Sequence, residues 1–280
     1  MGLGKKDIRP EIIIILIKYT EYHNVYKRKT NFRFMDNKVA VATVTYYDLN
    51  KPDMVVRSHL ALKTIMDALK SGCGVFVVDG GSTKSFVNEA RLFGATVLVQ
   101  DKNRKGISGG QQQAIECASR DLNPDAYILI EPEKAGLIGN YFEQIMSPIS
   151  SGSADIALIG RTEDSMRTLT RMQRLTETRM NADLSKMLGI DADFCMAPRV
   201  WNADVTPYFL NYTPSKNWDL FHGPVIDAMR DGKRIVPVRI PYAYPAEMIA
   251  AEEGVETYEK KRIDQLMEVT DFVREYLGQK

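Results

Sequence analysis

The sequence has few cysteines and almost no excess of charge. Cys73, Cys117 and Cys195 are its only cysteines in 280 residues, too few for a disulfide scaffold and too widely spaced for a zinc motif. This cysteine usage is typical of a reducing compartment, which predicts a cytoplasmic protein. Lys and Arg total 37 against 36 for Asp and Glu, a formal net charge of +1. Because nucleic-acid-binding domains usually carry a basic excess, the balance argues against a nucleic-acid partner.

Long apolar runs and common nucleotide-binding signatures are also missing. The longest strong apolar run, Ile12–Ile17, is far shorter than the roughly 20 residues that span a bilayer, so no transmembrane segment is expected. The one G-x-G near a predicted strand, at 72–74, precedes that strand, whereas the dinucleotide fingerprint follows one. Neither a P-loop nor a G-x-S-x-G elbow occurs, which argues against P-loop enzymes and α/β-hydrolases.

Between residues 38 and 160, short apolar runs alternate with helical patterns. The runs are rich in Val, Ile and Leu, as is typical of strands buried on both faces. We predict strands over 39–45, 74–78, 95–99, 126–130 and 155–159, with helices over 53–70, 83–93, 108–120 and 139–146. Strands that alternate with helices predict an α/β domain with a mainly parallel sheet.

The two ends of the chain differ from this pattern. Residues 1–36 are predicted as an N-terminal helical arm, either packed on the body or making a homo-oligomer or membrane-surface contact. The second half is less regular. There we predict one long helix over 163–188, loops with short strands over 191–217, a helix over 219–230, a strand over 235–240 and a terminal helix over 256–277.

Polar residues follow the predicted strands, where ligands of parallel sheets bind. Ser82 directly precedes a predicted helix and is expected to cap it, which leaves Asp79 without an evident structural task. Glu131 and Glu133 are two residues apart at a strand end. Their carboxylates would therefore point to one side and repel each other unless a cation lay between them.

The segment Asn103–Gly110 combines basic side chains with glycines before a predicted helix. Glycine allows a ligand close to the backbone, and a helix start with cationic side chains favours bound anions. The loop therefore predicts a phosphate site, and a solvated basic turn is the alternative. Arg161 and Arg167 also suggest an anionic ligand, whereas a solvated helix face is the alternative for Arg167.

In order and placement, these motifs resemble the GT-A glycosyltransferases, most closely their family-two group. Asp79–Lys84 resembles the turn that reads the nucleotide base, Asn103–Gly110 the phosphate loop, and Glu131-Pro132-Glu133 the Asp-x-Asp metal motif. The resemblance spans roughly residues 38–245 and implies an α/β fold of the nucleotide-diphospho-sugar transferase type. That fold is Rossmann-like, with a mainly parallel mixed sheet flanked by helices. It would form a domain over 37–250, followed by a C-terminal helix over 251–280.

The resemblance implies transfer of a sugar from a UDP- or GDP-sugar to a hydroxyl acceptor, which could be anionic, with Mg²⁺ or Mn²⁺ as cofactor. The implied nucleotide-binding residues are Tyr46, Asp79, Gly80, Ser82, Lys105, Gly106 and Glu131. The implied metal ligands are Glu131, Glu133 and His222. Lys84 and Lys134 depart from the family pattern, and Lys134 could neutralise a carboxylate or contact phosphate.

The late region of the chain would hold the catalytic and acceptor residues. Asp219 is the candidate base that takes the proton of the acceptor hydroxyl, and His222 is the second catalytic candidate. Capping of the predicted helix is the structural alternative for Asp219. The candidate acceptor-binding residues are Arg161, Arg167 and Trp218.

Two other functions stay open at this point. A sugar-nucleotide nucleotidyltransferase of similar fold would have a glycine-rich loop after the first strand, where this sequence has Tyr46–Asn50 without a glycine. That reading is therefore disfavoured. A glycosyltransferase-like protein that binds a sugar nucleotide without turnover is the other alternative, and Lys84 and Lys134 are the residues that favour it.

Overall fold

The computed structural model of the protein describes residues 38–278, and the predicted N-terminal arm over 1–36 lies outside them. A seven-stranded sheet has the order β3-β2-β1-β4-β6-β5-β7. The strands are β1 (Val39–Thr45), β2 (Gly74–Asp79), β3 (Thr96–Val99), β4 (Ala126–Leu129), β5 (Ile156–Arg161), β6 (Arg199–Asn202) and β7 (Ile235–Ile240). The predicted strands are confirmed, and β6 belongs to the region that we expected to hold loops and short strands.

The sheet is mixed but mainly parallel, as predicted. β1 pairs in parallel with β2 and β4, β2 with β3, and β5 with β7. β6 runs antiparallel to both β4 and β5. Because one reversed strand separates β4 from β5, both of these strands end at the same edge as β1 and β2. That shared carboxyl edge positions the candidate site.

The central strands bury both of their faces. Along β1, Val39 and Val41 join one hydrophobic cluster, while Ala40 and Ala42 join the other. The same alternation continues through β2, β4 and β5. Alternate side chains of a strand point to opposite faces, so uninterrupted apolar runs fit a sheet that helices cover on both sides.

The helices that cover the sheet begin and end close to the predicted positions up to residue 150. They are α1 (Pro52–Lys70), α2 (Lys84–Phe93), α3 (Gly106–Asp121) and α4 (Leu137–Ser150). Proline in the first turn of α1 is favourable, because a helix leaves the first N–H groups unpaired. At the C-terminal end of α2, Gly94 adopts φ 108°, the left-handed conformation that favours glycine.

The single helix predicted over 163–188 is wrong. The structure has two helices there, α5 (Glu163–Met166) and α6 (Arg171–Leu188). Thr162 and Thr170 each accept a hydrogen bond through the side chain from the backbone N–H three residues later. Threonine caps compete with a continuous helix, so each one starts a new helix. Consequently Arg167 directly follows the short helix α5 and does not lie within one long helix.

The remaining helices are α7 (Thr206–Leu210), α8 (Gly223–Arg230), α9 (Ala246–Glu252) and α10 (Glu256–Gly278). The helix predicted from Asp219 begins later, because a separate 3₁₀ turn, Asp219–Phe221, precedes α8. The terminal helix is confirmed as α10, and α9 was not predicted. Within residues 38–278, no helix is both long and apolar enough to cross a membrane.

Candidate active site

A cleft of about 430 Å³ opens at the carboxyl edge of the sheet. Its walls come from the segments after β1, β2 and β4, the start of α3, and the C-terminal helices α9 and α10. The predicted site residues on these walls are Tyr46, Gly80, Gly106, Glu131, Glu133 and Trp218. The predicted site residues that do not line the cleft are Asp79, Ser82, Lys105, Arg161, Arg167, Asp219 and His222.

The two tyrosines after β1 have different environments. Tyr46 is 55% exposed on the wall of the cleft, and Tyr47 is buried. The hydroxyl of Tyr47 donates to Oε1 of Glu133 at 2.9 Å, and its ring meets the edge of Phe86. Burial and the neighbouring Glu133 raise the pKa of Tyr47 well above its usual value. The ring of Tyr46 is therefore exposed to the cleft, while the hydroxyl of Tyr47 holds the carboxylate of Glu133.

Asp79 stabilises the turn after β2, so the expectation that it lacks a structural task is wrong. Its Oδ2 accepts hydrogen bonds from the backbone N–H groups of Gly81 and Ser82, and its Oδ1 accepts from Thr45 Oγ1. The Ser82 hydroxyl accepts from the backbone N–H of Tyr47 at 2.8 Å, and it does not cap α2. Sequence proximity could not reveal the bonds from Thr45 to Asp79 and from Tyr47 to Ser82, because each joins residues more than thirty positions apart. Asp79 and Ser82 thus hold the turn that brings Gly80 to the cleft.

The glycine-rich loop begins α3 earlier than predicted, at Gly106. Gln100 fixes this loop by donating through Nε2 to the carbonyls of Arg104 and Gly106, at 2.7 and 2.8 Å. A Cβ atom at Gly110 would come within 2.7 Å of Val44 Cγ2, so α3 packs closely on β1 only with glycine there. Lys105 is exposed beside the cleft but does not line it.

The acidic pair after β4 already has cationic neighbours from this chain. Nζ of Lys134 lies 2.8 Å from Oε2 of Glu131, and Nη1 of Arg57 lies 3.9 Å from Oε1 of Glu133. Burial opposes ionisation of Glu131, but attraction to Lys134 outweighs it and lowers the pKa of this carboxyl. The cation that we expected between the carboxylates is therefore supplied at least in part by side chains. Both carboxylates nevertheless line the cleft.

Asp219 and His222 lie behind the cleft wall. Asp219 is 1% exposed, and its Oδ2 accepts from the backbone N–H groups of Ser215 and Lys216, at 2.6 and 2.8 Å. His222 is also buried, and its burial together with repulsion from Arg199 lowers its pKa to about 3. Its imidazole is therefore neutral at pH 7. The structure does not bring His222 to the acidic pair, and neither residue reaches the cleft in the way that a base or metal ligand requires.

Arg161 and Arg167 are engaged elsewhere. Arg161 is 3% exposed and donates through Nε to Oδ2 of Asp193 at 2.7 Å and through Nη2 to Glu177. Burial would raise the pKa of Asp193, but the guanidinium of Arg161 holds it far below its usual range. Arg167 is exposed and pairs with Glu163 and Asp164 of α5, the short helix that it follows. The expectation that these arginines line an acceptor site does not fit their positions.

Among residues 38–278, one cluster could offer three metal-ligand atoms, and it differs from the predicted one. Glu177, Asp193 and Cys195 bring such atoms within 4.8 Å of one another. However, Arg161 already forms ion pairs with both carboxylates, and burial raises the pKa of the Cys195 thiol well above its usual value. The cluster is therefore organised around a guanidinium.

Several residues on the cleft wall were not found from the sequence. Arg57 comes from α1, and Lys261 and Arg262 come from α10, about two hundred positions later. Buried Glu252 of α9 forms ion pairs with both arginines. No local motif marks this group, because its members meet only when the C-terminal helices fold back onto α1.

Comparison with solved structures identifies the architecture. No family model and no curated protein sequence matches this chain. A crystal structure of glucosyl-3-phosphoglycerate synthase from Mycobacterium tuberculosis in complex with phosphoglyceric acid matches with a TM-score of 0.54 at 13% identity, over 84% of this chain and 80% of that one. Its complex with Mn²⁺, UDP-glucose and phosphoglyceric acid matches with a TM-score of 0.53 at 13% identity, over 85% and 81%. These similarities confirm the predicted GT-A fold.

Proposed function

We propose that this chain transfers a sugar from a UDP-sugar to a hydroxyl acceptor with the help of a divalent cation. The observation that carries the proposal is that three predicted parts of a sugar-nucleotide site line the same cleft. The acidic pair Glu131 and Glu133, the glycine of the turn after β2 and the glycine-rich start of α3 all line it. In the GT-A fold this cleft occupies the carboxyl edge of the sheet, where α/β proteins bind their ligands.

The nucleotide end of the cleft is assigned to β1, β2 and α3. Tyr46 offers its exposed ring for stacking on the base. Gly80 and Gly106 allow the donor close to the backbone. The first turn of α3 borders the cleft through Gly106 and Ile107, and unpaired N–H groups at a helix start favour phosphate oxygens.

The acidic pair is assigned to the metal. Two carboxylates together with substrate phosphate oxygens are a donor set that suits Mg²⁺ or Mn²⁺. When bound, the cation would stabilise the charge that develops on the leaving diphosphate. Tyr47 holds Glu133 in place, and Lys134 holds Glu131. The M. tuberculosis enzyme, whose complexes contain Mg²⁺ or Mn²⁺ with UDP, supports this assignment.

The second candidate is a sugar-nucleotide-binding protein without turnover. The ion pair between Lys134 and Glu131 favours it, because one carboxylate of the metal pair is already partly neutralised. The two candidates share the donor site and differ in whether the glycosidic bond to the nucleotide breaks. Transfer to a hydroxyl acceptor, a cytoplasmic location, homo-oligomer formation and the domain limits at 37, 250 and 280 stay predictions.

Calorimetric titration with a panel of UDP- and GDP-sugars tests the donor site. Each titration is run with Mn²⁺, with Mg²⁺ and with a chelator. We expect a UDP-sugar to bind, and to bind at least tenfold more weakly after chelation, since the metal joins the acidic pair to the phosphates. Binding that survives chelation would move the phosphate contacts to Lys134 and the start of α3. An absence of binding to every donor would contradict the proposal.

A further inference from the structure

Three cationic side chains from α1 and α10 line the cleft. We call Arg57, Lys261 and Arg262 the cationic trio. Arg57 belongs to α1, Lys261 and Arg262 belong to α10, and all of them line the cleft. The trio borders the acidic pair, because Nη1 of Arg57 lies 3.9 Å from Oε1 of Glu133. It is therefore next to the place where transfer is proposed to occur.

Few direct ion pairs engage the trio. Buried Glu252 forms ion pairs with both Arg57 and Arg262, so one carboxylate is shared between two guanidiniums. Glu133 is the other acid near Arg57, and it also accepts a hydrogen bond from Tyr47. Within residues 38–278, no acidic side chain forms an ion pair with Lys261. Lys261 thus has no direct ion pair in the described part of the chain, although Glu131 and Glu133 attract its charge.

Arg262 and Lys261 each have donor capacity that the described residues do not use. Nε of Arg262 is buried and has no hydrogen-bond partner among the described residues. Partial burial, together with repulsion from Arg262 and Arg57, lowers the pKa of Lys261. Like charges held this close are unfavourable unless an opposite charge compensates them. A guanidinium matches the geometry of phosphate and carboxylate oxygens, and an ammonium adds a point charge.

Aromatic side chains hold the two arginines of the trio. The Arg57 guanidinium lies 5.1 Å from the centroid of the Tyr258 ring, and the Tyr258 hydroxyl donates to Asp53. The Tyr244 hydroxyl accepts from Arg262 at 3.3 Å. These contacts tie α1 to the C-terminal helices, so the guanidiniums of Arg57 and Arg262 are positioned before a ligand arrives. Preorganised donors of this kind bind an anion at lower entropic cost.

We propose that the cationic trio binds the phosphate or carboxylate group of an acidic acceptor whose hydroxyl receives the sugar, an inference that rests on the proposed glycosyl transfer. The expectation of an anionic acceptor thereby moves from Arg161 and Arg167 to side chains that border the acidic pair. The nucleotide keeps β1, β2 and α3. An acceptor anion on the trio would place its hydroxyl beside Glu133.

Inorganic phosphate is the probe that tests the subsite. It is titrated into the full-length protein saturated with UDP, so that the nucleotide phosphate site is already filled. The test variant is Lys261→Ala, since its loss leaves both ion pairs of Glu252 intact. The matched control is Lys260→Ala on the same helix, where the ammonium pairs with Asp264 at 3.0 Å.

We expect phosphate to bind the wild type and the Lys260→Ala variant alike, and to bind Lys261→Ala about tenfold more weakly, as loss of one charge-assisted contact implies. Equal affinity for the Lys261→Ala variant and the wild type would overturn the subsite. So would a loss of UDP affinity in Lys261→Ala that matches its loss of phosphate affinity, because the lysine would then serve the donor.

Failure of the subsite can be told apart from failure of the proposed function. If the protein binds UDP but its phosphate affinity does not depend on Lys261, the subsite alone is overturned. Phosphate binding that depends on Lys261 in a protein that binds no UDP-sugar overturns the proposed donor and its transfer reaction. In a transfer assay, phosphoglycerate and glycerol serve as the charged and neutral acceptors. We expect Lys261→Ala to raise KM for phosphoglycerate about tenfold with little change in kcat. An unchanged KM for phosphoglycerate would contradict the subsite.

Discussion

Nζ of Lys134 lies 2.8 Å from Oε2 of Glu131, an ion pair at the centre of the acidic pair that is proposed to hold a divalent cation. Lys134 is 8% exposed, so solvent screens this pair only weakly. The ammonium and a metal ion would both draw on the same carboxylate. Lys134 therefore tunes how strongly the cleft attracts a cation before a donor binds.

Removal of the lysine charge should strengthen metal binding in the absence of nucleotide. We expect Lys134→Met to bind Mn²⁺ about tenfold more tightly than the wild type, measured by electron paramagnetic resonance of free Mn²⁺. Glu131→Gln should weaken binding in the same assay. The control is Lys63→Met, a substitution of an exposed lysine on α1. Unchanged Mn²⁺ affinity in Lys134→Met would show that the two cations do not compete.

Tyr46 should contribute to nucleotide affinity through its ring. We expect Tyr46→Ala to raise the Kd for the UDP-sugar about tenfold and Tyr46→Phe to leave it nearly unchanged, since stacking requires the aromatic face. Leu92→Ala removes an exposed apolar side chain that does not line the cleft, and it should have no effect. Equal Kd values for Tyr46→Ala and the wild type in calorimetry would remove the base-stacking role.

Substitution of Arg161 should lower the free energy of unfolding far more than substitution of Arg167. Replacement of Arg161 by Met leaves Asp193 and Glu177 buried without their cation, which should cost about 3–5 kcal/mol in the free energy of unfolding. Arg167→Met loses only exposed pairs and should change stability by less than about 1 kcal/mol. Urea denaturation followed by circular dichroism measures both. A near-neutral Arg161→Met would contradict the buried ion-pair cluster.

The buried His222 should make the free energy of unfolding fall as the pH becomes acidic. Its pKa of about 3 in the folded protein lies below the ordinary 6.5, so the unfolded chain binds the extra proton between those values. Stability from the neutral imidazole is therefore complete above pH 6.5 and declines as pH falls toward 3. Between pH 7 and pH 5, we expect the wild type to lose about 2 kcal/mol more than His222→Gln. Parallel losses in urea denaturation at both pH values would be inconsistent with a buried neutral His222.

The fold could be predicted because its signals are local. Apolar runs such as Val39–Thr45 mark strands buried on both faces, and their alternation with helices fixes the class. The sequence does not mark the helix break before Arg171, because the helical spacing of apolar residues continues past Thr170. The capping bond of Thr170 depends on the local backbone conformation, which the sequence does not give. A threonine in a periodic segment is consistent with either conformation until tertiary packing selects one.

The candidate site could be predicted only where it follows the strand ends. Tyr46, Gly80 and Glu131 reached the cleft because strand direction alone places them there. By contrast, the Asp219 carboxylate accepts hydrogen bonds from backbone N–H groups of a loop a few residues away. A sequence does not distinguish such a carboxylate from a catalytic base. Arg57 and Arg262 were missed because they meet through the return of α10 onto α1.

Release of UDP from a UDP-sugar tests the central claim most directly. The wild type is incubated with UDP-glucose, Mn²⁺ and phosphoglycerate, and UDP is measured by a coupled assay. The test variant is Glu131→Gln with Glu133→Gln, and the control is Glu163→Gln, whose side chain is 88% exposed. We predict UDP release and sugar transfer by the wild type and the control, with at least a hundredfold loss in the double variant. Full activity of the double variant, or tight UDP-glucose binding without any UDP release, would contradict a metal-assisted glycosyltransferase.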